Sequence, residues 1–516
     1  MTIKSTNQSQ FDTNYFIMYR KPNLFPKSIK SIYSYSNKRF YHLSNNEEID
    51  KNKFENIYDI VIVGGGIVGN ALACALATKS HRIAHIESNE LSSSVIKSWN
   101  AQDNLFSNRV SSLTPKSVKF FKDIGVWDHV DKKRIKGFKE MQVWDGISGA
   151  RIKFDSNKRD GIRSIIDSFI SSGKNYNIQN AILTRLDQCK SGNFKLFEKT
   201  KVEDIYFDND KDNNEYAPYD LHDWPNIKLN DGKILKARLL VGADGINSIV
   251  RSFANIESIG WDYNSNAVVA TLHIDSQVDN STAWQRFLPT GPIAMLPVMR
   301  FSSMVWSTTP SLASKFCSLP SSDLVHLINS AFRLRVADLD YFYSQIKKDD
   351  DVKMDYASEF SWRLGVERDS ISTTDGWPPM VIDIQEKSCA RFPLRMRNSE
   401  NYVKERIVLI GDAAHTIHPL AGQGLNQGLA DVESLFRVIK QGVMSGQDIG
   451  SLQLLQDYSS ERYLSNLLMI GAVDKLHKLF STDFTPIVWA RSIGLESLNG
   501  LEHLKAEIMK FAMGVE

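Results

Sequence analysis

The chain contains little cysteine, and the positions of its cysteines argue against the usual cysteine-based sites. Four cysteines occur in 516 residues, at Cys74, Cys189, Cys317 and Cys389, and no two of them have the CxxC spacing. Without that spacing, neither a disulfide framework nor a structural zinc site is expected. Cys74 lies among the small residues of a predicted helix, where a buried free thiol is the expected state.

The sequence also lacks a long hydrophobic run and a strong net charge. No window offers the roughly 20 apolar residues that a membrane-spanning helix needs. The 62 Lys and Arg residues nearly balance 60 Asp and Glu residues, so the net charge of +2 gives no reason to expect a nucleic-acid partner. A hydrophobic content of 42% and a charged content of 24% are ordinary for a globular protein.

One segment has no acidic residues at all. Between Thr13 and Asn46 there is no Asp or Glu, while lysine, arginine, serine and tyrosine are frequent. This composition is typical of organellar transit peptides. We therefore predict a mitochondrial transit peptide over residues 1–44, removed near Arg39–Ser44, with a disordered basic tail as the alternative.

The strongest motif present spans Tyr58–Ala77, which reads YDIVIVGGGIVGNALACALA. It predicts a short apolar strand, a glycine turn and a helix rich in small residues. The turn has the spacing Gly64-x-Gly66-x-x-Gly69, the fingerprint of a dinucleotide-binding βαβ unit. The first glycine makes the tight turn, the second lets the backbone approach a pyrophosphate, and the third allows close packing of helix on sheet. The free N–H groups at the helix start favour a dianionic ligand.

A carboxylate completes this motif. A second predicted strand, Arg82–Ile86, ends in Glu87, at about the spacing of an acid that accepts a hydrogen bond from a ribose 2′-OH. An acid at this position argues against a 2′-phosphate. The residues alone leave NAD, NADP and FAD open.

Two later strand ends also carry acids. The strand Leu239–Val241 runs into a GADG turn that contains Asp244, and the strand Ile407–Ile410 ends in Gly411 and Asp412. Ligands of open α/β sheets bind at the carboxyl ends of the strands. The loop PLAGQG (419–424) then precedes an amphipathic helix, whose N-terminus offers N–H groups to developing negative charge.

Two histidines between Asp412 and this loop, His415 and His418, suggest a metal as one interpretation. A third ligand is not evident nearby in the sequence, so we predict structural roles for them and no metal site. The four cysteines support the same expectation, because none of them has a suitable spacing.

Three regions outside these motifs have distinct character. Residues 260–391 favour short strands with a helical insertion at Asp323–Tyr341. The stretch Glu203–Asp223 is rich in Asp and Asn and predicts an exposed loop. Gln453–Glu516 is helical by periodicity and has leucine-rich faces. These faces fit core packing or a membrane- or partner-docking surface.

Together, the GxGxxG turn with its acid, the GADG turn and the string GDAAHTIHPLAGQGLN (411–426) resemble a known family. It is that of the single-component FAD-dependent aromatic hydroxylases, the para-hydroxybenzoate hydroxylase class. Within this class the chain is most similar to the ubiquinone-biosynthesis hydroxylases of mitochondria. The resemblance runs from Tyr58 nearly to the C-terminus.

The resemblance implies a fold and its boundaries. The fold is α/β, with a Rossmann-like FAD-binding domain, an inserted β-sheet substrate domain and a C-terminal helical region. The implied segments are the FAD-binding domain at 58–259 and 392–440, the β-rich substrate domain at 260–391 and the C-terminal helical region at 441–516.

The resemblance also implies FAD as the cofactor and assigns residues to it. Gly64, Gly66 and Gly69 would hold the pyrophosphate. Glu87 would bind the adenosine ribose and Asp412 the ribitol chain. The remaining implied contacts are Arg109 on the flavin side, Asp244 and Gly411 in their turns, and Pro419, Gly422, Gly424, Leu425 and Asn426 along the isoalloxazine.

The implied reaction is ring hydroxylation of a polyprenylated 4-hydroxybenzoate-type phenol, at C5. In this class reduced flavin takes up O2 as a C4a-hydroperoxide, and the phenol ring attacks its distal oxygen. No catalytic acid or base can be named, because no side chain in Ala267–Arg391 singles itself out. A flavin dehydrogenase or reductase of the same fold and a non-catalytic prenyl-lipid-binding protein are the alternatives.

The resemblance finally implies partners and a location. The sequence has no second GxGxxG, so electrons would come from NAD(P)H bound transiently or from ferredoxin and its reductase. The enzyme would be attached peripherally to the matrix side of the mitochondrial inner membrane, beside other enzymes of ubiquinone biosynthesis.

Overall fold

A computed structural model describes most of the chain after the leader. The described ranges are 54–77, 81–91, 111–138, 140–155, 170–172, 175–189, 193–208, 220–275, 281–298, 300–347, 354–368, 376–419 and 422–513. The predicted transit peptide (1–44) and Arg109 lie outside them, as do Leu420 and Ala421 of the glycine-rich loop. The elements below all belong to one unit, Ile57–Glu516.

The described residues form twenty strands and twelve α-helices. The strands are β1 Ile57–Val63, β2 Ile83–Ile86, β3 Ser111–Leu113, β4 Ile135–Gly137, β5 Glu140–Asp145, β6 Arg151–Asp155, β7 Ile170–Ser172, β8 Phe194–Phe197, β9 Val202–Tyr206, β10 Asn226–Leu229, β11 Ile234–Gly242, β12 Ser258–Ile274, β13 Thr282–Phe287, β14 Ile293–Val298, β15 Phe301–Thr308, β16 Val381–Ile384, β17 Ala390–Ser399, β18 Val403–Lys404, β19 Ile407–Leu409 and β20 His415–Thr416. The helices are α1 Ile67–Leu76, α2 Pro115–Asp123, α3 Asn175–Cys189, α4 Ile249–Phe253, α5 Pro310–Phe316, α6 Ser321–Arg333, α7 Val336–Lys347, α8 Tyr356–Arg368, α9 Gly424–Met444, α10 Leu452–Phe480, α11 Thr485–Gly500 and α12 Glu502–Met513.

The first sheet has the strand order β18-β19-β11-β1-β2-β8, and the β9–β10 hairpin is attached through β10 to β11. β1 runs parallel to β2 and β11, and β11 runs parallel to β19. The run Ile60–Val63 of β1 is apolar without interruption because helices cover both faces of the sheet. Ile60, Val61 and Ile62 are fully buried, and α1, α3 and α9 pack around them in one hydrophobic core.

The second sheet has the order β20-β17-β12-β15-β14-β13-β5-β6, and β16 pairs with β12. One face packs under α5–α8, and its core includes Trp144, Met304 and Trp306. The hairpin β5–β6 belongs to this sheet, since β5 pairs with β13. The second sheet thus includes a hairpin from within the segment 58–259. A third, small sheet has the order β3-β7-β4.

Several predicted elements are confirmed. The short strands expected in residues 260–391 include β12 to β15. Before them in the chain, α2 begins after Thr114, whose side-chain oxygen accepts a hydrogen bond from the Ser117 N–H. The helical insertion is longer than predicted, because α6 and α7 together reach Lys347 and α8 follows. The predicted loop at Glu203 is wrong at its start. Val202 and Ile205 are buried on one side of β9, so the polar residues between them belong to a half-exposed strand.

The C-terminal helices leave many apolar side chains in solvent. Four leucines of these helices are each 40–53% exposed, namely Leu476, Leu479, Leu501 and Leu504. The prediction that these leucines pack in a core is therefore wrong. Phe480 is buried instead and stacks on Phe287 of β13, with ring centroids 4.0 Å apart. None of the helices in the described part of the chain is long and apolar enough to cross a membrane.

Candidate cofactor site

The glycine turn between β1 and α1 is shaped by two close contacts. Gly64 has φ +109°, and a Cβ there would lie 2.3 Å from the carbonyl oxygen of Ala243. A Cβ on Gly69 would lie 2.0 Å from the carbonyl oxygen of Gly64. Glycine is therefore required at both positions for β1, β11 and α1 to approach one another.

Gly66 differs from its neighbours because the space in front of it is open. A Cβ built on Gly66 would meet no heavy atom within 4 Å. Gly66 is also the N-cap of α1, where no side chain caps the helix and the first turn has no acidic residue. The first N–H groups of α1 thus face an open space in which an anionic ligand can bind.

Glu87 stands at the end of β2 and contacts the same turn. One carboxylate oxygen accepts a hydrogen bond from the Gly65 N–H at 2.5 Å, and the other accepts from the backbone and side chain of Asn89 at 2.8 Å each. Partial burial works to raise the pKa of Glu87, but the hydrogen bonds from Asn89 and Gly65 outweigh it and lower the pKa. Glu87 is therefore a charged acceptor beside the glycine turn.

His85, which the sequence analysis did not identify, contacts the backbone of the glycine turn. It is fully buried in β2, and its Nε2 lies 3.0 Å from the carbonyl oxygen of Gly64. Burial lowers the pKa of His85, so the ring stays neutral and donates to this carbonyl. A histidine at an otherwise apolar strand position was the available signal.

Asp244 has one carboxylate oxygen in use and one without a partner. Oδ2 accepts hydrogen bonds from the N–H groups of Ile249 and Val250, at 2.7 and 3.3 Å, and so caps α4. Oδ1 is buried and has no hydrogen-bond partner among the described residues. Burial raises the pKa of Asp244. The free oxygen is an acceptor that a ligand hydroxyl can satisfy.

Asp412 lies in a short 3-10 turn, Gly411–Ala413, that follows β19. Its side chain is exposed, and no hydrogen bond to it occurs within the described ranges. The surrounding protein reduces its hydration and raises the pKa of Asp412, while His415 opposes this effect. Asp412 is thus an unengaged carboxylate at the carboxyl end of the sheet.

A buried polar network holds this turn in place, and sequence reasoning missed its centre, Asp431 on α9. Asp431 is fully buried and accepts hydrogen bonds from the Gly411 N–H at 3.0 Å, from His415 at 2.6 Å and from Arg462 of α10 at 2.8 Å. Burial works to raise the pKa of Asp431, but His415 and Arg462 outweigh it and bring the pKa to about 2. A charged residue on the apolar face of α9 was the available signal.

The turns of the first sheet meet around α1. A Cβ on Gly411 would lie 3.2 Å from the Val68 side chain, and a Cβ on Gly428 of α9 would lie 2.7 Å from it. Arg251 of α4 donates a hydrogen bond to the carbonyl oxygen of Ala413 at 2.8 Å. The start of α1 and the turns that carry Asp244 and Asp412 are therefore neighbours.

The glycine-rich loop and α9 are tied to α2 through Asn426. Its Oδ1 accepts hydrogen bonds from the Thr114 N–H and the Ser117 hydroxyl at 2.9 and 2.8 Å, and its Nδ2 donates to the Ser112 carbonyl at 2.8 Å. Gly422 has φ +60°, and a Cβ there would lie 2.7 Å from the Ser112 hydroxyl. The amide of Asn426 is therefore used for fixing the loop.

The remaining predicted site residues of this loop have simple positions. Pro419 is half-buried, Gly424 is the first residue of α9, and Leu425 packs against the first core. His418 is buried, with its ring 4.9 Å from that of Tyr263 and 4.8 Å from that of His477. In the described part of the chain, no group of three or more His, Cys, Asp or Glu side chains is arranged to hold a metal ion.

The polar groups of this site fit FAD. The open space at Gly66 and the uncapped start of α1 suit a pyrophosphate, and Glu87 suits a ribose. The unengaged carboxylate of Asp412 and the buried free oxygen of Asp244 suit polyol hydroxyls. These groups all lie at the carboxyl edge of the first sheet.

Comparisons with known proteins identify the family of the chain. The model of the FAD binding domain family matches residues 57–467. The mitochondrial ubiquinone biosynthesis monooxygenase of Xenopus tropicalis is 38% identical over 457 residues, covering 88% of this chain and 93% of that protein. That of Saccharomyces cerevisiae is 34% identical over 481 residues, covering 90% and 96%.

Solved structures show the same fold at low sequence identity. The p-nitrophenol 4-monooxygenase of Pseudomonas putida is 18% identical, with a TM-score of 0.60 and coverage of 88% of this chain and 98% of that one. A Klebsiella pneumoniae protein, HpxO, solved with FAD, is 16% identical, with a TM-score of 0.58 and the same coverage. With its sequence relatives and its FAD-type site, the chain belongs to the family of mitochondrial ubiquinone biosynthesis monooxygenases, which are FAD-dependent enzymes.

Proposed function

We propose that this FAD-dependent monooxygenase hydroxylates the ring of a polyprenylated 4-hydroxybenzoate-type phenol, at C5, during ubiquinone biosynthesis. The observation that carries the proposal is the identity of 34–38% with mitochondrial ubiquinone biosynthesis monooxygenases over about nine-tenths of the chain. The open anion site at the start of α1 supports it independently. Bound FAD, once reduced, supplies the activation of O2 that ring hydroxylation needs.

The proposed roles of the residues follow from their positions. The N–H groups after Gly66 bind the pyrophosphate, Glu87 accepts from the adenosine ribose, and Asp412 accepts from the ribitol chain. The N-terminus of α9 stabilises negative charge on the flavin ring system. Arg109, which lies outside the described residues, is proposed to reach the flavin side.

The proposed substrate wall is the face of the second sheet that points away from α5–α8. Side chains alternate along β14, so Ile293 and Met295 enter the core under those helices and Ala294 and Leu296 point the other way. Val305 of β15 pairs with Ala294 and is half-buried on that same face. The wall offers small apolar side chains against which an aromatic ring can pack.

The small third sheet links this wall to the flavin loop. Ser112 of β3 donates a hydrogen bond to the Gly422 carbonyl at 3.4 Å, and β4 and β7 of the same small sheet contact β14. A ring held on the wall would therefore lie near the glycine-rich loop. The matched test is Val305→Trp against Ile382→Trp, whose site in β16 is 63% exposed. The first variant should raise KM for the phenol several-fold without loss of FAD, and the second should not.

Membrane contact is proposed for the C-terminal helices. Leu468 on α10, Phe484 before α11 and Trp489 on α11 are 53%, 61% and 68% exposed. Exposed leucines beside an exposed tryptophan are typical of helices that lie in a membrane interface. Peripheral attachment to the matrix side of the inner membrane would give a long prenyl chain a short path into the enzyme.

Vesicle binding tests this surface, with a second tryptophan of similar exposure as the control. Trp489→Glu should lower co-sedimentation with vesicles that contain cardiolipin several-fold. Trp362→Glu, at a tryptophan 63% exposed on α8, should leave it unchanged. Equal binding of both variants would contradict a membrane role for α11. It would favour other ubiquinone-biosynthesis enzymes as the partners of this surface.

The electron donor is proposed to be ferredoxin with its reductase, and NAD(P)H is the alternative. Support comes from the mitochondrial relatives and from the lack of a second GxGxxG in the sequence. Anaerobic bleaching of the flavin absorption should be at least tenfold faster with reduced ferredoxin than with NADPH. The reverse order would assign the reduction to NAD(P)H.

The decisive experiment is isotope incorporation by the protein purified without its leader. The absorption spectrum should show oxidised flavin that bleaches on reduction, and the product ring should gain one atom of 18O from 18O2. Reduction without incorporation would favour a flavin dehydrogenase. A colourless protein that does not take up FAD would leave a prenyl-lipid-binding role.

A further inference from the structure

We propose that Cys317 and Cys389 form a redox-active pair that closes into a disulfide on reaction with hydrogen peroxide. Both cysteines are free thiols, and their Sγ atoms lie 3.4 Å apart. A disulfide has an S–S distance of about 2.05 Å, so small rotations of the two side chains suffice for closure. The proposal does not rest on the monooxygenase activity.

The two cysteines are held together by the second sheet. Cys317 is the C-cap of α5, which is fixed by its capping residue Thr309 and by buried side chains such as Phe316. Cys389 lies in the turn between β16 and β17. In that turn the buried Ser388 hydroxyl accepts a hydrogen bond from the Thr271 N–H of β12 at 3.1 Å. Because α5 also packs on β12 and β17, the distance between the thiols is set by packed elements.

The two thiols have different roles. Cys389 donates a hydrogen bond to Cys317 and lowers the pKa of Cys317 to about 7, against the effect of burial, with Arg391 adding to the lowering. The same hydrogen bond raises the pKa of Cys389. Cys317 is therefore the thiolate that reacts first, and Cys389 is the thiol that resolves. Cys74 contrasts with Cys317, since burial raises the pKa of Cys74 to about 12.

The reaction balances with hydrogen peroxide as the only oxidant. The Cys317 thiolate attacks one peroxide oxygen, the O–O bond breaks, and the departing hydroxide takes up a proton to become water. Cys317 is then a sulfenic acid. The Cys389 sulfur attacks the sulfenic sulfur, the S–S bond forms, the S–O bond breaks, and the second water leaves with the Cys389 proton. Two thiols are oxidised to one disulfide, and one peroxide is reduced to two waters.

Mass spectrometry of the FAD-loaded, full-length protein tests the pair. After treatment with hydrogen peroxide and alkylation with N-ethylmaleimide, a cross-linked peptide that joins Cys317 to Cys389 should appear, lighter by two hydrogens and reversible by dithiothreitol. The oxidised protein should also melt a few degrees higher, because the disulfide closes a long loop. Recovery of both cysteines as alkylated thiols, at peroxide doses that oxidise Cys189, would overturn the proposal.

Two variants separate the roles of the thiols. Cys389→Ser should accumulate a sulfenic acid at Cys317 that dimedone traps, at least tenfold faster than at Cys189. Cys317→Ser should leave Cys389 unmodified under the same conditions. Labelling of Cys317 in the first variant that is no faster than that of Cys189 would overturn the assignment of Cys317 as the reactive thiol.

Discussion

At the scale of single residues, the glycines of the GxGxxG turn meet two different requirements. One glycine is needed for packing, and another leaves space for a ligand. Gly69 is needed for packing, because a side chain there would meet the Gly64 carbonyl at 2.0 Å. Gly66 is not needed for packing, since its side-chain position is open. Packing within the protein therefore does not explain a glycine at position 66, but a ligand bound in the open space would. A pyrophosphate is the ligand that the start of α1 favours.

Alanine substitutions test this separation. Gly66→Ala should leave the melting temperature of the FAD-free protein within about 1–2 °C but weaken FAD binding at least tenfold, because the methyl group enters the ligand space. Gly69→Ala should lower the melting temperature of the FAD-free protein by several degrees, because backbone atoms cannot yield. Calorimetry and flavin fluorescence titration measure the two effects. Normal FAD binding by Gly66→Ala would contradict the pyrophosphate site.

Asp431 positions the turn that carries Asp412 through its hydrogen bond with Gly411. It does not reach the cofactor site, but its carboxylate accepts from the Gly411 N–H and so fixes the backbone beside Asp412. Its other partners include His415 of β20 and Arg462 and Asn466 of α10. The turn that carries Asp412, the helix α9 and the C-terminal region therefore share one buried polar group.

At the scale of elements, the C-terminal helices are joined to the second sheet by a buried ion pair. Arg491 of α11 donates to both carboxylate oxygens of Asp145 in β5, at 2.9 and 3.1 Å, and both side chains are fully buried. Arg491 also donates to the carbonyl oxygens of Leu479 and Thr482, at 2.8 Å each. One arginine thus fixes the turn between α10 and α11 to the sheet.

Removing one partner should release α11. Arg491→Met leaves Asp145 buried without its counter-charge, a change that costs about 3–5 kcal/mol. We expect a lower melting temperature and early proteolytic cleavage near residues 481–484. Lys478→Met is the control, because Lys478 pairs with Asp474 at 2.8 Å but is 57% exposed, and exposed pairs contribute about 0–1 kcal/mol. Equal proteolysis of the two variants would show that the buried pair does not anchor α11.

At the scale of the whole molecule, one cluster joins the segment before the glycine-rich loop, the second sheet and the C-terminal helices. His418 of that segment, Tyr263 of β12 and His477 of α10 contact one another through their rings, with centroids 4.8–4.9 Å apart. Tyr263 donates a hydrogen bond to Asp474 at 3.0 Å. Burial and the neighbouring His477 lower the pKa of His418 to about 3, while Asp474 opposes this.

This cluster should make the fold sensitive to mild acid. The unfolded chain protonates His418 near pH 6.5, whereas the folded chain does not until about pH 3. The contribution of a neutral His418 is therefore complete above pH 6.5 and is lost as the pH falls toward 3. Melting temperatures should decline across this window, and His418→Gln should decline less steeply. Parallel pH profiles for the two proteins would contradict the role of His418.

The first βαβ unit could be predicted from the sequence because its signals are local. An apolar strand, the glycine spacing and an acid at the next strand end lie within Tyr58–Glu87, and each has one geometric meaning. The cap at Thr114 is equally local. The string GDAAHTIHPLAGQGLN is highly specific, and together with the GxGxxG and GADG turns it indicates the family.

Contacts between residues far apart in the chain could be assigned only from the folded protein. The pairing of β5 with β13, the Arg491–Asp145 pair and the Cys317–Cys389 contact join segments separated by 72 to 346 residues. The exposure of the C-terminal leucines belongs here too, because a helical period marks an apolar face but not what covers it. The amino-acid sequence by itself predicts a dinucleotide-binding βαβ unit, because short-range backbone requirements define its glycine turn. The partners of buried charges and thiols depend instead on which distant elements pack together.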